Sequence, residues 1–186
     1  IIIMFLLGYN VHTNRNLEQA KKTKESFSRY LVENNITGNT VIINKALLDI
    51  YKRPKVSFMH DWWLGMIAFT FGKVGYLNEC LVKYRQHESN ELGAKNPLEL
   101  YNIKKRNKQR IRENYDCMFA QVEEFLLLYK NELGKSRSAD TYYAHKYLNA
   151  FANMKSKNRI SKIRDILKYS FFKSSKILTI GEMLNI

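Results

Sequence analysis

Residues that cross-link or interrupt a fold are scarce in this chain, which has two cysteines and two prolines among its 186 residues. Cys80 and Cys117 match neither a zinc-binding nor a redox spacing, so a disulfide scaffold is not implied and a reducing cytoplasm is the simplest setting. Long apolar runs are also lacking. The seven apolar residues at 1–7 fall far short of the roughly 20 that a transmembrane helix needs.

The same N-terminal run has neither the basic leader nor the small-residue cleavage site of a signal peptide. It is better explained as a strand or helix whose neighbouring element lies upstream. Because the chain also begins with Ile1, we expect the sequence to be part of a longer protein.

Apolar and basic residues are abundant. A hydrophobic fraction of 45%, with 13% aromatic residues, predicts a folded domain with a sizeable core. The formal net charge is +14, and it is uneven: residues 1–94 carry 12 basic and 8 acidic side chains, whereas 95–186 carry 19 and 9. A basic C-terminal half attracts polyanions, either anionic lipid or nucleic acid.

Helix and strand patterns alternate in the first half of the chain. Helices are predicted at 14–32, 46–51 and 62–71, and extended segments at 36–44, 73–77 and 80–84. The β-branched segment 36–44 predicts a buried strand. This alternation predicts an α/β layered domain.

After Pro97 the pattern is helical. Residues 98–133 contain no Gly or Pro and predict one long helix, or two in line, that ends at Gly134. Ser138 or Asp140 is suited to cap a helix through Met154, and Ser161 a helix through Phe172. We therefore divide the chain into an α/β part at 1–95 and a helical basic region at 96–186.

The tetrapeptide His60-Asp61-Trp62-Trp63 has the strongest chemical character. Asp61 has two interpretations: a helix cap that accepts backbone N–H groups, or a general base for a sugar hydroxyl. The indoles of Trp62 and Trp63 are suited either to stack on a sugar or to fill the core, and the core is favoured for at least one.

Arg85 and His87 lie two residues apart, so an extended segment would present both side chains on one face. A guanidinium beside an imidazole suits a diphosphate and its metal ion. The alternative is a solvated edge on which Arg85 pairs with Glu79 or Glu88.

Five short blocks between residues 27 and 95 carry a family resemblance. They are Ile36-Thr37-Gly38-Asn39-Thr40, Asn44-Lys45 with Leu47-Leu48, Met59-His60-Asp61-Trp62-Trp63, Phe71-Gly72-Lys73, and Tyr84-Arg85-Gln86-His87 with Asn90 and Gly93. In order and spacing they resemble the C-terminal part of a glycosyltransferase family 2 catalytic domain, in particular bacterial rhamnosyltransferase-like members.

This resemblance implies a partial GT-A (Rossmann-like) fold, a nucleotide-diphosphate sugar donor, a divalent cation (Mg or Mn) and inversion at the anomeric carbon. It implies Asp61 as catalytic base and His87 as a metal-site residue accompanied by Arg85. It also places Gly38, Asn39 and Thr40 beneath the sugar, although the family often has Cys where Asn39 stands. His60, Trp62 and Trp63 would line the acceptor site.

One family feature is missing. The metal-binding Asp-x-Asp motif occurs nowhere in the 186 residues. We therefore expect the chain to be the acceptor-side remainder of a transferase, inactive alone, whose acceptor is a glycan or a lipid-linked glycan of the bacterial cell surface.

The basic segment 159–173 has two interpretations. Its Ile, Leu and Phe residues, interleaved with Lys and Arg, suit either an anionic membrane surface or packing on the protein's own domain. The first would make the protein cytoplasmic and peripheral on the inner face of the cell membrane. The competing function is a non-enzymatic basic module that binds membrane or nucleic acid, although no nucleic-acid motif is present.

Overall fold

The computed structural model describes residues 3–9, 24–34, 36, 38–82, 108–173, 179 and 181. The first part of the helix predicted at 14–32 and the start of the one predicted at 98–133 lie outside the described residues. Arg85 and His87 lie outside them as well.

The described sheet has three strands: β1 (Ile3–Tyr9), β2 (Val41–Ile43) and β3 (Lys73–Val82). Their order is β2-β1-β3, with β1 antiparallel to β2 and parallel to β3. The N-terminal apolar run is therefore the central strand. A parallel pair needs a long crossover, and the helical segments between residues 24 and 71 belong to it.

The two extended segments predicted at 73–77 and 80–84 form one strand, β3, as far as Val82. The predicted break is still visible in the register, because Leu7 pairs with Leu77 whereas Gly8 pairs with Cys80. Residues 78–79 are thus accommodated as an irregularity in the ladder, which is how a β-bulge inserts extra residues into one strand.

The buried strand predicted at 36–44 is wrong in extent and in burial. Gly38–Thr40 forms a 3-10 turn, and only Val41–Ile43 is extended. Ile42 is 51% exposed, and β2 lies at the edge of the described sheet. β-branched residues favour a strand but do not reveal whether it is central or at an edge.

Three helices lie in the crossover: α1 (Lys24–Tyr30), α2 (Lys45–Ile50) and α3 (His60–Phe71). The Asn44 side chain caps α2 by accepting the Leu47 N–H at 3.1 Å. Helix α3 begins two residues before the predicted start and ends at the predicted Gly72, whose N–H donates to the Ala68 carbonyl at 2.9 Å.

The C-terminal helices are α4 (Lys108–Leu128), α5 (Lys130–Lys135), α6 (Ala139–Ala152) and α7 (Arg159–Tyr169), with a 3-10 turn at Asn153–Ser156. The prediction of two helices in line is confirmed for α4 and α5. The predicted end at Gly134 is wrong, because α5 continues through this glycine to Lys135. None of the described helices combines the length and the apolar character needed to cross a membrane.

The prediction of the N-cap holds in position for α6 but not for α7. Ser138 is the N-cap residue of α6, although its side chain makes no capping hydrogen bond. At α7 the cap is Asn158, whose Oδ1 accepts the Ser161 N–H at 2.9 Å. Ser161 is therefore the third residue of the helix and supplies the capped backbone donor.

One hydrophobic core joins the two predicted regions. The Trp63 ring of α3 meets Phe125 of α4 edge-on at 5.3 Å between centroids. In addition, the Thr141 hydroxyl of α6 donates to the Thr70 carbonyl of α3 at 3.0 Å. The described residues on either side of the 95/96 boundary therefore share a core.

Candidate functional site

A cleft of about 530 Å³ opens where α3 begins. Its walls come from the first turn of α3 and from residues 51–59, which we name the cleft loop. The lining residues are Tyr51, Arg53, Pro54, Ser57, Phe58, Met59, His60, Asp61 and Trp63. The His60-Asp61 pair singled out by the sequence thus borders the cleft.

Asp61 lies in the first turn of α3 and is only 7% exposed. It is not the N-cap, since that position is Met59. Its Oδ1 accepts the Trp62 N–H at 2.8 Å and the Asn34 side-chain amide at 3.1 Å. A carboxylate here also interacts favourably with the positive end of the helix dipole. The prediction that Asp61 is the helix cap is therefore wrong, although its side chain does accept one backbone N–H in the first turn.

The second carboxylate oxygen of Asp61 is different. Within the part of the chain that the structure describes, Oδ2 receives no hydrogen bond, and it is not among the buried unpaired side-chain atoms. Asp61 is one of the residues that line the cleft. One of its oxygens is held in place while the other has no partner among the described residues, which is the arrangement a proton acceptor needs.

Tyr30 supports Asp61 from inside the protein. Its hydroxyl bonds to the carbonyls of Asp61 at 3.2 Å and Trp62 at 3.0 Å, and its own carbonyl accepts the Trp62 indole N–H at 2.8 Å. Burial, and secondly the charge of Asp61, raise the pKa of Tyr30 well above its usual value. A neutral hydroxyl therefore remains beneath the first turn of α3.

The two tryptophans have different surroundings. Trp62 is 4% exposed and packs edge-on against Phe58 at 5.5 Å and Tyr30 at 6.3 Å. It is not part of the cleft lining, and its burial agrees with the prediction that at least one of the two indoles fills the core. Trp63 is 1% exposed but borders the cleft, and its indole N–H donates to the Lys52 carbonyl at 3.0 Å.

The segment Gly38–Thr40 lies close to His60. A Cβ added to Gly38 would be 2.5 Å from the His60 Nε2 atom, so only glycine permits this approach without moving the ring. Asn39 is exposed and Thr40 is buried. Gly38 therefore meets the site through the exposed His60 imidazole, whereas the Thr40 side chain belongs to the interior.

The cleft loop is fixed by the C-terminal helices, which the sequence did not indicate. The Lys52 ammonium donates to the Leu128 carbonyl at 2.7 Å and to Glu132 at 2.6 Å. The hydrogen bond from Lys52 lowers the pKa of Glu132. The Tyr129 hydroxyl accepts the Lys52 N–H and donates to the Ile50 carbonyl, both at 3.0 Å. Burial raises the pKa of Tyr129 to about 12.

Helix α4 makes a second set of contacts further along the loop. The Glu124 carboxylate accepts the N–H groups of Lys55 and Val56, each at 2.5 Å. Gln121 accepts the Phe58 N–H at 2.8 Å. These partners lie 63 to 69 positions apart in sequence, and no local pattern distinguishes Glu124 from any other acidic helix residue.

The described residues do not form a metal site on their own. No group of three His, Cys, Asp or Glu side chains comes together within the described part of the chain. Asp61 is the single carboxylate in the cleft lining, and hard divalent cations prefer several oxygen ligands. We therefore assign no chemical step to a metal here.

No protein-family model, curated protein or solved structure matches this chain.

Proposed function

We propose that this chain is the acceptor-side part of an inverting glycosyltransferase of partial GT-A fold. It would move a sugar from a nucleotide-diphosphate donor to a hydroxyl of a glycan or lipid-linked acceptor, in the synthesis of bacterial surface polysaccharide. The observation that carries the proposal is Asp61, a buried carboxylate that lines the cleft. Its Oδ1 is held by two donors, while Oδ2 has no hydrogen-bond partner among the described residues.

In this mechanism the Oδ2 atom of Asp61 takes the proton of the acceptor hydroxyl. The acceptor oxygen forms a bond to the anomeric carbon as the bond to the donor phosphate breaks, and the nucleoside diphosphate leaves with the electron pair. A single displacement inverts the anomeric centre. The bonds from Asn34 and the Trp62 N–H restrict rotation of the carboxylate, so less entropy is lost on reaching the reactive geometry.

The topology supports this proposal. A parallel β1–β3 pair joined by a helical crossover is the unit from which α/β layered domains are built. Asp61 lies in the first turn of α3, the last helix before β3. We propose that the cation ligands come from residues outside this sequence, with Arg85 and His87 beside the donor diphosphate in a cytoplasmic enzyme.

The substitution Asp61→Asn tests the proposal. It is made in the protein encoded by the longest reading frame that contains these residues. We expect transfer to fall by about 10² to 10⁴, because the amide keeps the shape of the side chain but is no base. Nucleoside diphosphate release is measured over a panel of UDP-, GDP- and dTDP-sugars with Mg or Mn, together with donor affinity and the thermal midpoint.

The matched control is Asp49→Asn on α2, which removes only a surface ion pair with Lys45. It should leave transfer unchanged. Equal losses of donor binding, folding and transfer in Asp61→Asn would show that Asp61 only stabilises the start of α3.

A second proposal concerns the outer face of α7. Ile166 and Phe171 are buried in the core, as is Lys162, so the face predicted for membrane contact is smaller than the sequence indicated. What remains outside is Ile160, 81% exposed, and Leu167, 60% exposed.

Basic side chains surround these two apolar residues. Arg159, Arg164 and Lys168 are exposed, whereas the one acidic residue of α7, Asp165, is buried and paired with Lys157. Ile160, Arg164 and Leu167 follow helical spacing and share one side of the helix. We propose that this face holds the protein on an anionic membrane surface.

Flotation with vesicles that contain or lack phosphatidylglycerol tests this second proposal. Ile160→Ser combined with Leu167→Ser should abolish recovery with anionic vesicles. Leu127→Ser on α4, which removes another exposed leucine, should not. Binding of the wild-type protein to nucleic acid but not to vesicles would exclude the membrane and favour the basic-module function.

A further inference from the structure

Arg53 is a cation in the cleft with no assigned partner. It lines the cleft and is exposed, and among the described residues it makes neither a hydrogen bond nor an ion pair. Its neighbour Lys52 differs, because the Lys52 ammonium is engaged by Leu128 and Glu132 of the C-terminal helices. Arg53 is thus the guanidinium of this loop that remains open to a ligand.

The backbone on both sides of Arg53 is fixed. The Lys52 N–H donates to the Tyr129 hydroxyl, and the Lys52 carbonyl accepts the Trp63 indole N–H. On the other side, Pro54 restricts its own φ and the Lys55 N–H donates to Glu124. A residue on a backbone held in this way loses little backbone entropy when its side chain binds a ligand.

The chemistry of the cleft defines what Arg53 would bind. A guanidinium offers a planar fork of donors that matches the two oxygens of a carboxylate or phosphate. Asp61 repels such a group from its own part of the cleft, while Arg53 attracts it to the loop wall. A neutral ligand would offer the Arg53 guanidinium no opposite charge to pair with.

We propose that Arg53 binds an anionic group of the substrate, a carboxylate or a phosphate, while Asp61 receives the hydroxyl proton. This inference rests on the function proposed for the same cleft. The anionic group belongs either to an acidic sugar of the acceptor or to the diphosphate of the donor, and matched pairs of probes distinguish these sources.

The test measures the affinity of two pairs of probes by NMR titration. Methyl glucuronide is compared with methyl glucoside, and UDP with uridine. The wild-type protein should bind the anionic member of one pair about tenfold tighter or better, as expected for hydrogen bonds to a charged group. Arg53→Gln should remove that preference.

Lys55→Gln is the control. Lys55 is exposed, lies two positions after Arg53 and does not line the cleft, so this substitution removes the same charge outside the cleft. It should keep the preference. Loss of the glucuronide preference assigns the acceptor as the source, and loss of the UDP preference assigns the donor. Equal preferences in wild type and Arg53→Gln overturn the inference.

Failure of this inference is distinguishable from failure of the proposed function. If Asp61→Asn abolishes transfer while Arg53→Gln changes no affinity, Asp61 is the base and Arg53 is a surface residue. If Arg53→Gln removes the anion preference while Asp61→Asn still transfers sugar, the anion site exists and the proposed base is wrong.

Discussion

Helices α3 and α7 are of similar length but have opposite surroundings. Nine of the twelve residues of α3 are buried, including Asp61, whereas only three of the eleven residues of α7 are buried. A helix enclosed on almost all sides holds its side chains in fixed positions, which suits chemistry. A helix with one buried stripe leaves its remaining surface for a partner. Helix α3 therefore holds side chains in fixed positions, whereas α7 presents a surface that a partner can contact.

Gly65→Ala should affect the buried helix most strongly. A methyl group there would lie 2.5 Å from the Tyr30 Cζ atom and 2.8 Å from Ile36 Cδ1. Since both neighbours are buried, we expect a loss of about 1 to 3 kcal/mol in the free energy of unfolding. Chemical denaturation measures it, and weaker transfer should accompany it, because Tyr30 supports Asp61.

The control for this change is Gly134→Ala in α5, where an added methyl group meets nothing within 4 Å. There the same substitution should stabilise the helix by about 0.5 to 1 kcal/mol. If both substitutions lowered the free energy of unfolding, burial of the helix would not explain the effect of Gly65→Ala.

Tyr30→Phe should have an intermediate effect that depends on pH. Loss of the buried hydroxyl should cost about 1 kcal/mol near pH 8. The folded-state pKa of Tyr30 is raised, so its contribution is complete below the unfolded value of about 10 and is lost as pH rises towards the folded value. Denaturation from pH 8 to pH 12 should therefore show the wild-type advantage shrinking above about pH 10.

Tyr142→Phe is the control, because the Tyr142 ring on α6 is exposed. Tyr142→Phe should have the same free energy of unfolding as the wild type at pH 8, and should lose stability above about pH 10 as the wild type does. A wild-type advantage over Tyr30→Phe that stays constant through the alkaline range would contradict the burial of the Tyr30 hydroxyl.

Leu167→Ala on α7 should change stability least. The side chain is largely exposed, so we expect a difference within about 0.5 kcal/mol, measured by thermal denaturation. A loss much larger than this would show that the outer face of α7 is covered in solution and is not free for a membrane.

The sequence was sufficient where the information is local. The apolar stretch ending at Gly72 predicted α3 to within two residues of its start, although Asp61 was placed just before the helix and not in its first turn. The helical segment predicted at 98–133 is likewise found as α4 and α5 over its described residues. Helical periodicity records which side faces a core, whatever that core contains.

The remaining features depend on distant partners. Asn34 holds Asp61 across 27 positions, and Gln121 holds the Phe58 N–H across 63. Neither residue differs in its local sequence from an ordinary polar residue at a helix end or on a helix face. At α7 the uncertainty was local. Asn158 and Ser161 are both residues favoured at N-caps, and the helical periodicity is compatible with either of them as the cap.

The central position of β1 also determines when the sheet can form. Ile3 pairs with Lys73, 70 positions later, and Tyr9 pairs with Val82. At a synthesis rate of about 5 to 20 residues per second, β1 waits roughly 4 to 14 s for the start of β3 to be made. During synthesis β2 and the helices of the crossover are therefore made before β3, so the antiparallel β1–β2 pair can form first and the parallel β1–β3 pair completes the sheet.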